Sequence, residues 1–419
     1  MFTRVGAAAY KADLQNTILL CEALGNPEKS LKCIHIAGTN GKGSCSHMLS
    51  AVLQTAGYKT ALYTSPHIID FRERIRINGE MVSREWVIAF IDRIKPLIET
   101  MQPSFFEVTV AMAFSYFAEQ KIDIAVIEVG LGGLLDSTNI ITPLLSVITN
   151  ISLDHTALLG KDLESIATQK AGIIKTHVPV VIGERQTETE NIFFTHAIMN
   201  EAPIFFAEEN FQVAMYAYME RKSEMKVMHL PTGKIWTIQT DLQGLYQKKN
   251  ICTVLCALEV LRQLGWKIDD AHIHEGLKSV MSLTGIRGRL ERVHESPTII
   301  FDVSHNEAGI TELVNQLETI PYQQLWIITG FVNDKDVRTV LRILPHSAEY
   351  FFTQAQIPRA LPYLELYDQA MEAGLKGRSI ATVTEALQAA LNMAEKEDLI
   401  LVTGSFFLLE EAYRFVQTI

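Results

Sequence analysis

Gly38-Thr39-Asn40-Gly41-Lys42-Gly43-Ser44 is the stretch whose reading decides the fold. It follows Cys33-Ile34-His35-Ile36-Ala37, an apolar run that reads as a buried strand. It precedes Met48, Leu49, Val52, Leu53 and Ala56, an apolar stripe at helical spacing. Strand, glycine-rich turn and helix together make a seat for a nucleotide's phosphates. Backbone N–H groups converge in the turn, the helix N-terminus adds partial positive charge, and Lys42 supplies a full one. The common pattern G-x-x-x-x-G-K-[ST] would want glycine at 36 and a hydroxyl at 43. Here Ile36 and Gly43 stand in those places, and the hydroxyl comes one residue later at Ser44. A glycine-rich turn alone is weak evidence; lysine after glycine at a strand-to-helix switch is rarer.

With 419 residues the chain is long enough for two or three domains. A net charge of -11 argues against a reader of nucleic-acid backbones, which carries a basic face. No run of ~18 apolar residues indicates a membrane span. Met1 to Lys11 lacks the charged-then-apolar pattern of a signal peptide. The five cysteines, Cys21, Cys33, Cys45, Cys252 and Cys256, form no disulfide framework, which fits a reducing cytoplasm. Cys252 and Cys256 lie one helical turn apart without a second ligand pair, as on a packed helix face.

Strands and helices alternate through the first part. Strands are expected at Lys59 to Tyr63, Ile122 to Ile127, Leu144 to Thr149 and Val178 to Ile182. Helices are expected from Arg84 to about Glu99, capped by Ser83, and from Glu107 to Glu119. This alternation predicts a parallel sheet covered on both faces. From about Asn191 to Thr240 the character changes, and Pro231-Thr232-Gly233 reads as a hairpin turn in a small antiparallel patch. Helix returns from Asn250 to Leu264. After Gly285 and Gly288 a second alternating series begins, with strands at Thr298 to Phe301, Leu325 to Thr329, Glu349 to Phe352 and Leu399 to Val402.

Chemistry gathers at strand ends. Glu128 closes a strand and runs into Val129-Gly130-Leu131-Gly132-Gly133, where a carboxylate can hold Mg²⁺ beside phosphates. His155 and Ser65 also follow strands, although a lone histidine is usually structural and Mg²⁺ prefers oxygen ligands. Spacing does not single out Lys170, since a helical lysine is usually solvated. Arg287 and Arg289 flank Gly288 at the inferred junction. Asp302-Val303-Ser304-His305-Asn306 ends the first strand of the second series. A cleft there would turn these groups toward Lys42. Asp334 and Asp336 lie in another strand-end loop, as helix caps or binding groups.

Taken together these segments resemble the folylpolyglutamate synthase/dihydrofolate synthase family of the Mur ligase superfamily. The likeness rests on Gly38 to Ser44, Tyr63-Thr64-Ser65-Pro66-His67, Arg74 to Gly79, Glu128 to Gly133, Leu135 to Asn139, Asp154-His155-Thr156 and Glu164 to Lys175. It extends through Arg289, Asp302 to Asn306 and Thr403-Gly404-Ser405. The resemblance implies an α/β chain. A P-loop-type Mur ligase central domain with a small antiparallel β patch (1–285) is followed by a smaller Rossmann-like glutamate ligase domain (286–419). It implies ATP bound by Thr39, Asn40, Gly41, Lys42, Gly43 and Ser44, with Asn250, Arg289 and Asp302 contacting it from across the cleft. It implies Mg²⁺ on Ser65, Glu128 and His155. Lys170 would be the lysine that the family carbamylates, which requires a neutral amine and hence a depressed pKa. Ser104, Phe105, Phe106 and Glu107, with Leu135, Asp136 and Ser137, would line a pterin site. His305 would lie near the reacting carboxylate or the incoming glutamate. Three departures occur: Leu134 stands where the family usually has arginine, and Ser304 and Glu307 replace the commoner alanine and proline.

The implied enzyme is a cytoplasmic, monomeric acid–amino-acid ligase that adds L-glutamate to dihydropteroate and to the γ-carboxylate of reduced folates. Its partners would be these small molecules, with no nucleic acid and no membrane. The alternatives are polyglutamylation alone, a cell-wall Mur ligase, or a P-loop regulatory module without ligase chemistry.

Overall fold

The run Cys33–Ala37 forms β1, which takes a central place in an eight-stranded sheet. The structure, a computed structural model, describes residues 13–219, 221–333 and 336–418. The Met1 to Lys11 stretch and the Asp334-Lys335 pair lie outside them. The other strands of this sheet are β2 (Thr60–Tyr63), β3 (Ile75–Ile77), β4 (Glu80–Met81), β5 (Ile124–Glu128), β6 (Leu145–Ile148), β7 (Val180–Ile182) and β8 (Ile204–Phe206). Their order is β4-β3-β2-β5-β1-β6-β7-β8. Six strands run parallel, and β3 and β4 add an antiparallel edge. β1 lies between β5 and β6, with Ile34 opposite Val126 and Leu145. Every residue of β1, β5 and β6 is buried, which explains their unbroken apolar runs.

The helix Lys42–Thr55 rises from the loop and buries Met48, Leu49, Val52 and Leu53. Each such side chain contributes roughly 1.5–3 kcal/mol of hydrophobic stabilisation. A left-handed Gly41 (φ 83°) starts the helix. A Cβ at that position would come within 2.4 Å of the Asn250 amide oxygen, so only glycine fits.

The change to antiparallel pairing comes later than Asn191. The helix Glu190–Met199 and β8 still continue the parallel series. Antiparallel pairing begins with β9 (Phe211–Tyr218), followed by β10 (Ser223–His229) and β11 (Lys234–Thr240). This three-stranded sheet packs Phe211, Met225, Val227 and Ile238 against the helix Gln247–Gln263, in one apolar core with the helix Lys42–Thr55. Cys252 and Cys256 are buried on that helix, as its packed face required. Ser83 caps the helix Arg84–Met101 through the Trp86 N–H. The next helix runs Phe105–Glu119, not from Glu107. Ser104 and Glu107 form a reciprocal capping box, so Glu107 is the third helical residue.

The second sheet contains β12 (Glu291–Glu295), β13 (Thr298–Phe301), β14 (Leu325–Thr329), β15 (Glu349–Phe352), β16 (Lys376–Ser379) and β17 (Leu399–Thr403), in the order β12-β13-β17-β14-β15-β16. Five strands are parallel, and β12 pairs antiparallel at the edge. Asp336 caps the helix Val337–Ile343 by accepting from the Thr339 N–H. One excursion of the first sheet crosses to the second. The loop between β2 and β3 closes at its base by Thr64 N–H to Arg74 O, yet its Ile68 side chain is buried among Phe301, Val303 and Leu408. Within that loop Glu73 accepts from the N–H groups of Ile68, Ile69 and Asp70.

Candidate active site

The carboxyl ends of β1, β2, β5 and β6 face those of β13 and β17 across a cleft of about 500 Å³. All the residues assigned above to nucleotide, metal, substrate and catalysis line it. The phosphate loop is braced before any ligand arrives. Thr39 N–H donates to Asn150 O and Asn40 N–H to the Asn150 side chain, both at 2.9 Å. The Lys42 ammonium donates to Gly38 O and Thr39 O at 3.0 Å each. Gly43 lies beside charged side chains from both walls. A Cβ there would sit 3.2 Å from the Arg289 guanidinium and 3.8 Å from a Glu128 oxygen.

Glu128, at the end of β5, is buried and accepts from Ser65 N–H at 3.1 Å. Burial raises its pKa, while Lys42, the Ser65 N–H, Arg289 and Arg74 act in the opposite sense. His155 follows β6 in the left-handed region (φ 49°), held by its N–H to Asp154 at 2.8 Å. Ser65, Glu128 and His155 thus bring one hydroxyl, one carboxylate and one imidazole to the wall of the same cleft. Among the described residues no group of three or more His, Cys, Asp and Glu could make an all-protein metal cage.

Lys170 lies near the end of the helix Leu163–Ala171, which Asp162 caps. Its ammonium is buried and donates to Gly38 O at 2.9 Å, so two lysines share one carbonyl. Burial, and then the nearby Lys42 charge, bring the Lys170 pKa down to about 7. The neutral amine expected there is therefore accessible near neutral pH.

On the opposite wall the Arg289 guanidinium lies 5.1 Å from the centre of the Phe406 ring. Arg287 instead stacks on Tyr413 and does not line the cleft, which corrects its grouping with Arg289. The Asp302 carboxylate accepts from Leu290 N–H and Ser304 N–H in its own half and from the Tyr246 hydroxyl of the first half. The His305 imidazole contacts Val303 O at 2.9 Å and lies 3.5 Å from an Asp154 oxygen. Asn306 does more than its neighbours. Its carbonyl oxygen caps the helix Glu307–Leu317 at Gly309 N–H, and its amide pairs reciprocally with Asn40 of the phosphate loop at 3.2 and 3.0 Å. The same NH₂ donates to Asp154 at 3.1 Å. Lys249 adds an ionic link, between Glu184 at 2.9 Å and Glu312 at 3.3 Å.

Asn306→Asp is expected to separate these roles. Aspartate caps a helix as well as asparagine does, so Tm should hold. The donations to Asn40 and Asp154 would be lost and two carboxylates opposed, so kcat/KM should fall roughly tenfold or more. Steady-state kinetics beside thermal denaturation checks this, and an unchanged kcat/KM would deny the contact any role in turnover.

Away from the loop the cleft becomes an aromatic recess. Phe105 and Phe106 line it, and the buried Arg74 guanidinium sits 5.5 Å from the Phe105 ring centre. Glu107 lines it too, but its carboxylate is engaged by Ser104 N–H and the Asn16 amide. Asp136 accepts from Leu131 N–H, Thr138 N–H and the Thr138 hydroxyl. Leu134, at the family's usual arginine position, does not line the cleft; it packs on Gly172 and is 42% exposed. Residue reading gave no site role to Arg74, Asp154 or Tyr246, and it turned Asn306 toward Lys42 only as part of its segment. A cap signal at Asn306 was available, but Arg74 carried none beyond its place in a matching segment.

Two family models match the chain: the Mur ligase middle domain over residues 36–258, and the Mur ligase glutamate ligase domain over residues 288–406. A Bacillus subtilis dihydrofolate synthase/folylpolyglutamate synthase is 34% identical over 412 residues, spanning 94% of this chain and 92% of that protein. An Escherichia coli FolC structure in complex with DHPP and ADP superposes with a TM-score of 0.86 at 28% identity, covering 100% of this chain and 96% of that one. A Mycobacterium tuberculosis folylpolyglutamate synthase complexed with ADP and AMPPCP gives 0.88 at 30% identity, covering 97% and 95%. Phosphate loop, facing sheets and matched relatives agree: the chain belongs to the Mur ligases, in the dihydrofolate synthase/folylpolyglutamate synthase family.

Proposed function

We infer that this chain uses ATP to join L-glutamate to a pterin-bearing carboxylic acid, in two steps within one cleft. The observation that carries the reading is the continuity of that cleft. The Lys42 loop and Glu128 open directly onto the recess of Phe105, Phe106, Arg74 and Asp136. In the first step a substrate carboxylate oxygen attacks the γ-phosphorus of ATP, and the bond to ADP breaks. The product is an acyl phosphate, since a free carboxylate is a poor electrophile. In the second step the neutral amine of glutamate attacks the acyl carbon, the C–O bond to phosphate breaks, and the amine gives up its proton.

Lys42 stabilises charge on the transferring phosphoryl group, and Arg289 approaches the same loop from the other wall. Ser65, Glu128 and His155 would hold Mg²⁺, which when bound neutralises phosphoryl oxygens. Lys170, as a carbamate, would place an anion beside Lys42 and the metal site. Asn250 and Asp302 shape the nucleotide's surroundings, and His305 stands where glutamate would enter. The division into an ATP-binding unit (1–285) and a glutamate ligase unit (286–419) belongs to the same reading. Gly285 ends the helix Val280–Thr284, and β12 opens the second sheet, which supports it. A monomer in the cytoplasm completes it. Five buried free cysteines support that setting, and no described helix is long and apolar enough to cross a membrane.

Both acceptors are expected to be used, dihydropteroate through its aryl carboxylate and a reduced folate through its γ-carboxylate. Phosphate release from ATP, with glutamate and each acceptor separately, checks this. Turnover with the folate alone removes the first reaction. Turnover with neither acceptor, but with a nucleotide-linked muramoyl peptide, overturns the folate reading.

A further inference from the structure

The recess ends at a carboxylate whose support comes from inside the sheet. Asp136 is buried and forms part of the cleft wall. It takes two backbone N–H bonds and the Thr138 hydroxyl proton, the last at 2.5 Å. Burial raises the Asp136 pKa, and the Thr138 hydroxyl and the backbone N–H groups act against it. A threonine hydroxyl has one proton, and here Asp136 receives it. The Thr138 oxygen is also 2.8 Å from Nε2 of His35, in the middle of β1. That contact must therefore be filled by the imidazole's own proton, which fixes the Nε2–H tautomer. Burial, then the Lys175 charge, push the His35 pKa down to about 3, so the ring is neutral and has one proton to give. Its Nδ1 finds no hydrogen-bond partner, in keeping with a ring oriented by Thr138 alone. A histidine in a buried parallel strand is costly unless its hydrogen bond is needed.

We propose that His35 and Thr138 are positioning residues for substrate recognition, forming a buried donor chain that orients the Asp136 carboxylate toward the N–H edge of the pterin ring. The proposal rests on the reading of Asp136 as a pterin-facing group. It also links strand β1, which leads into the phosphate loop, to the far end of the substrate recess. The chain runs from His35 Nε2–H to Thr138 Oγ1, and from Thr138 Oγ1–H to Asp136 Oδ1. Its loss would leave the carboxylate with backbone donors only, one N–H on each oxygen.

Thr138→Val keeps the shape and removes the hydroxyl. It is expected to raise the KM for dihydropteroate roughly tenfold or more while the KM for ATP stays within about twofold. Thr138→Ser restores the hydroxyl and should recover most of the loss. His35→Phe should act in the same direction, and a Thr138→Val/Asp136→Asn double variant should be no worse than Asp136→Asn. Thermal denaturation of each variant separates misfolding from misplacement, and the serine variant keeps the test open if phenylalanine is not tolerated. Equal rises in both KM values, or no rescue by serine, would mean that Thr138 is merely structural. If Asp136→Asn raises the dihydropteroate KM and Thr138→Val does not, the donor chain fails alone. If Asp136→Asn itself leaves that KM unchanged, the pterin reading of the recess fails and the chain with it.

Discussion

Lys42→Ala is expected to stop glutamate addition to both acceptors, with kcat reduced on the order of 10³-fold. The lysine is the cation at the head of the helix Lys42–Thr55, and its ammonium already lies against the loop carbonyls of Gly38 and Thr39. Little reorganisation is needed for it to meet a phosphate, so its charge acts where negative charge develops. Its removal has a second effect. Glu128 loses the largest of the influences that oppose its burial, so its carboxylate would be more readily protonated and less able to hold a cation. Nucleotide binding should weaken less than turnover. Steady-state phosphate release and nucleotide titration measure the two separately. Retention of more than a tenth of wild-type turnover would refute the phosphoryl role.

Lys170→Ala is expected to cost on the order of 100-fold in turnover with either acceptor. Carbamylation joins the neutral amine to CO₂ and releases a proton, so it needs the unprotonated form. With the pKa at about 7, that form grows as pH rises through neutrality and disappears below it. Enzyme stripped of CO₂ at low pH should regain activity with bicarbonate faster at pH 8 than at pH 6. Lys170→Arg should not regain it, because a guanidinium stays protonated. Labelled bicarbonate should give a carbamate ¹³C signal in the wild type alone. Absence of that signal in active enzyme would end the carbamate reading, and full activity of Lys170→Ala would remove Lys170 from the mechanism. The same shift has a stability signature. The unfolded chain keeps this proton up to about 10.5, so the Lys170 contribution to stability rises with pH between about 7 and 10.5.

The first strand, loop and helix were legible because their signals are local: an apolar run, glycines, then a 3.6-residue stripe. The strands Thr298–Phe301, Leu325–Thr329 and Glu349–Phe352 fall where their sequences place them. β16 did not, because Lys376-Gly377-Arg378-Ser379 is a polar edge strand whose pairing comes from β15 alone. The late onset of the antiparallel sheet was hidden because Ile204–Phe206 is too short to announce its partner, β7. Lys170 looked like any helical lysine. Its burial comes from the packing of its helix under a loop some 130 residues earlier in the chain. Ser65 and His155 likewise have meaning only once β2, β5 and β6 lie in one sheet. Asn306 showed its cap locally, but its amide pair with Asn40 spans 266 residues and follows from the closed arrangement of the two sheets.

The loop between β2 and β3 has a mechanical consequence. Its base is tied to the first sheet, its tip at Ile68 is embedded in the second half's apolar core, and Glu73 stiffens what lies between. Ser65 and Arg74 occupy the two ends of this segment, one beside Glu128 and the other over the Phe105 ring. The segment is a lever with its far arm gripped by the other half. A hinge motion between the halves must either pull Ile68 out of hydrocarbon or carry Ser65 and Arg74 with it, so cleft opening and site geometry are geared together.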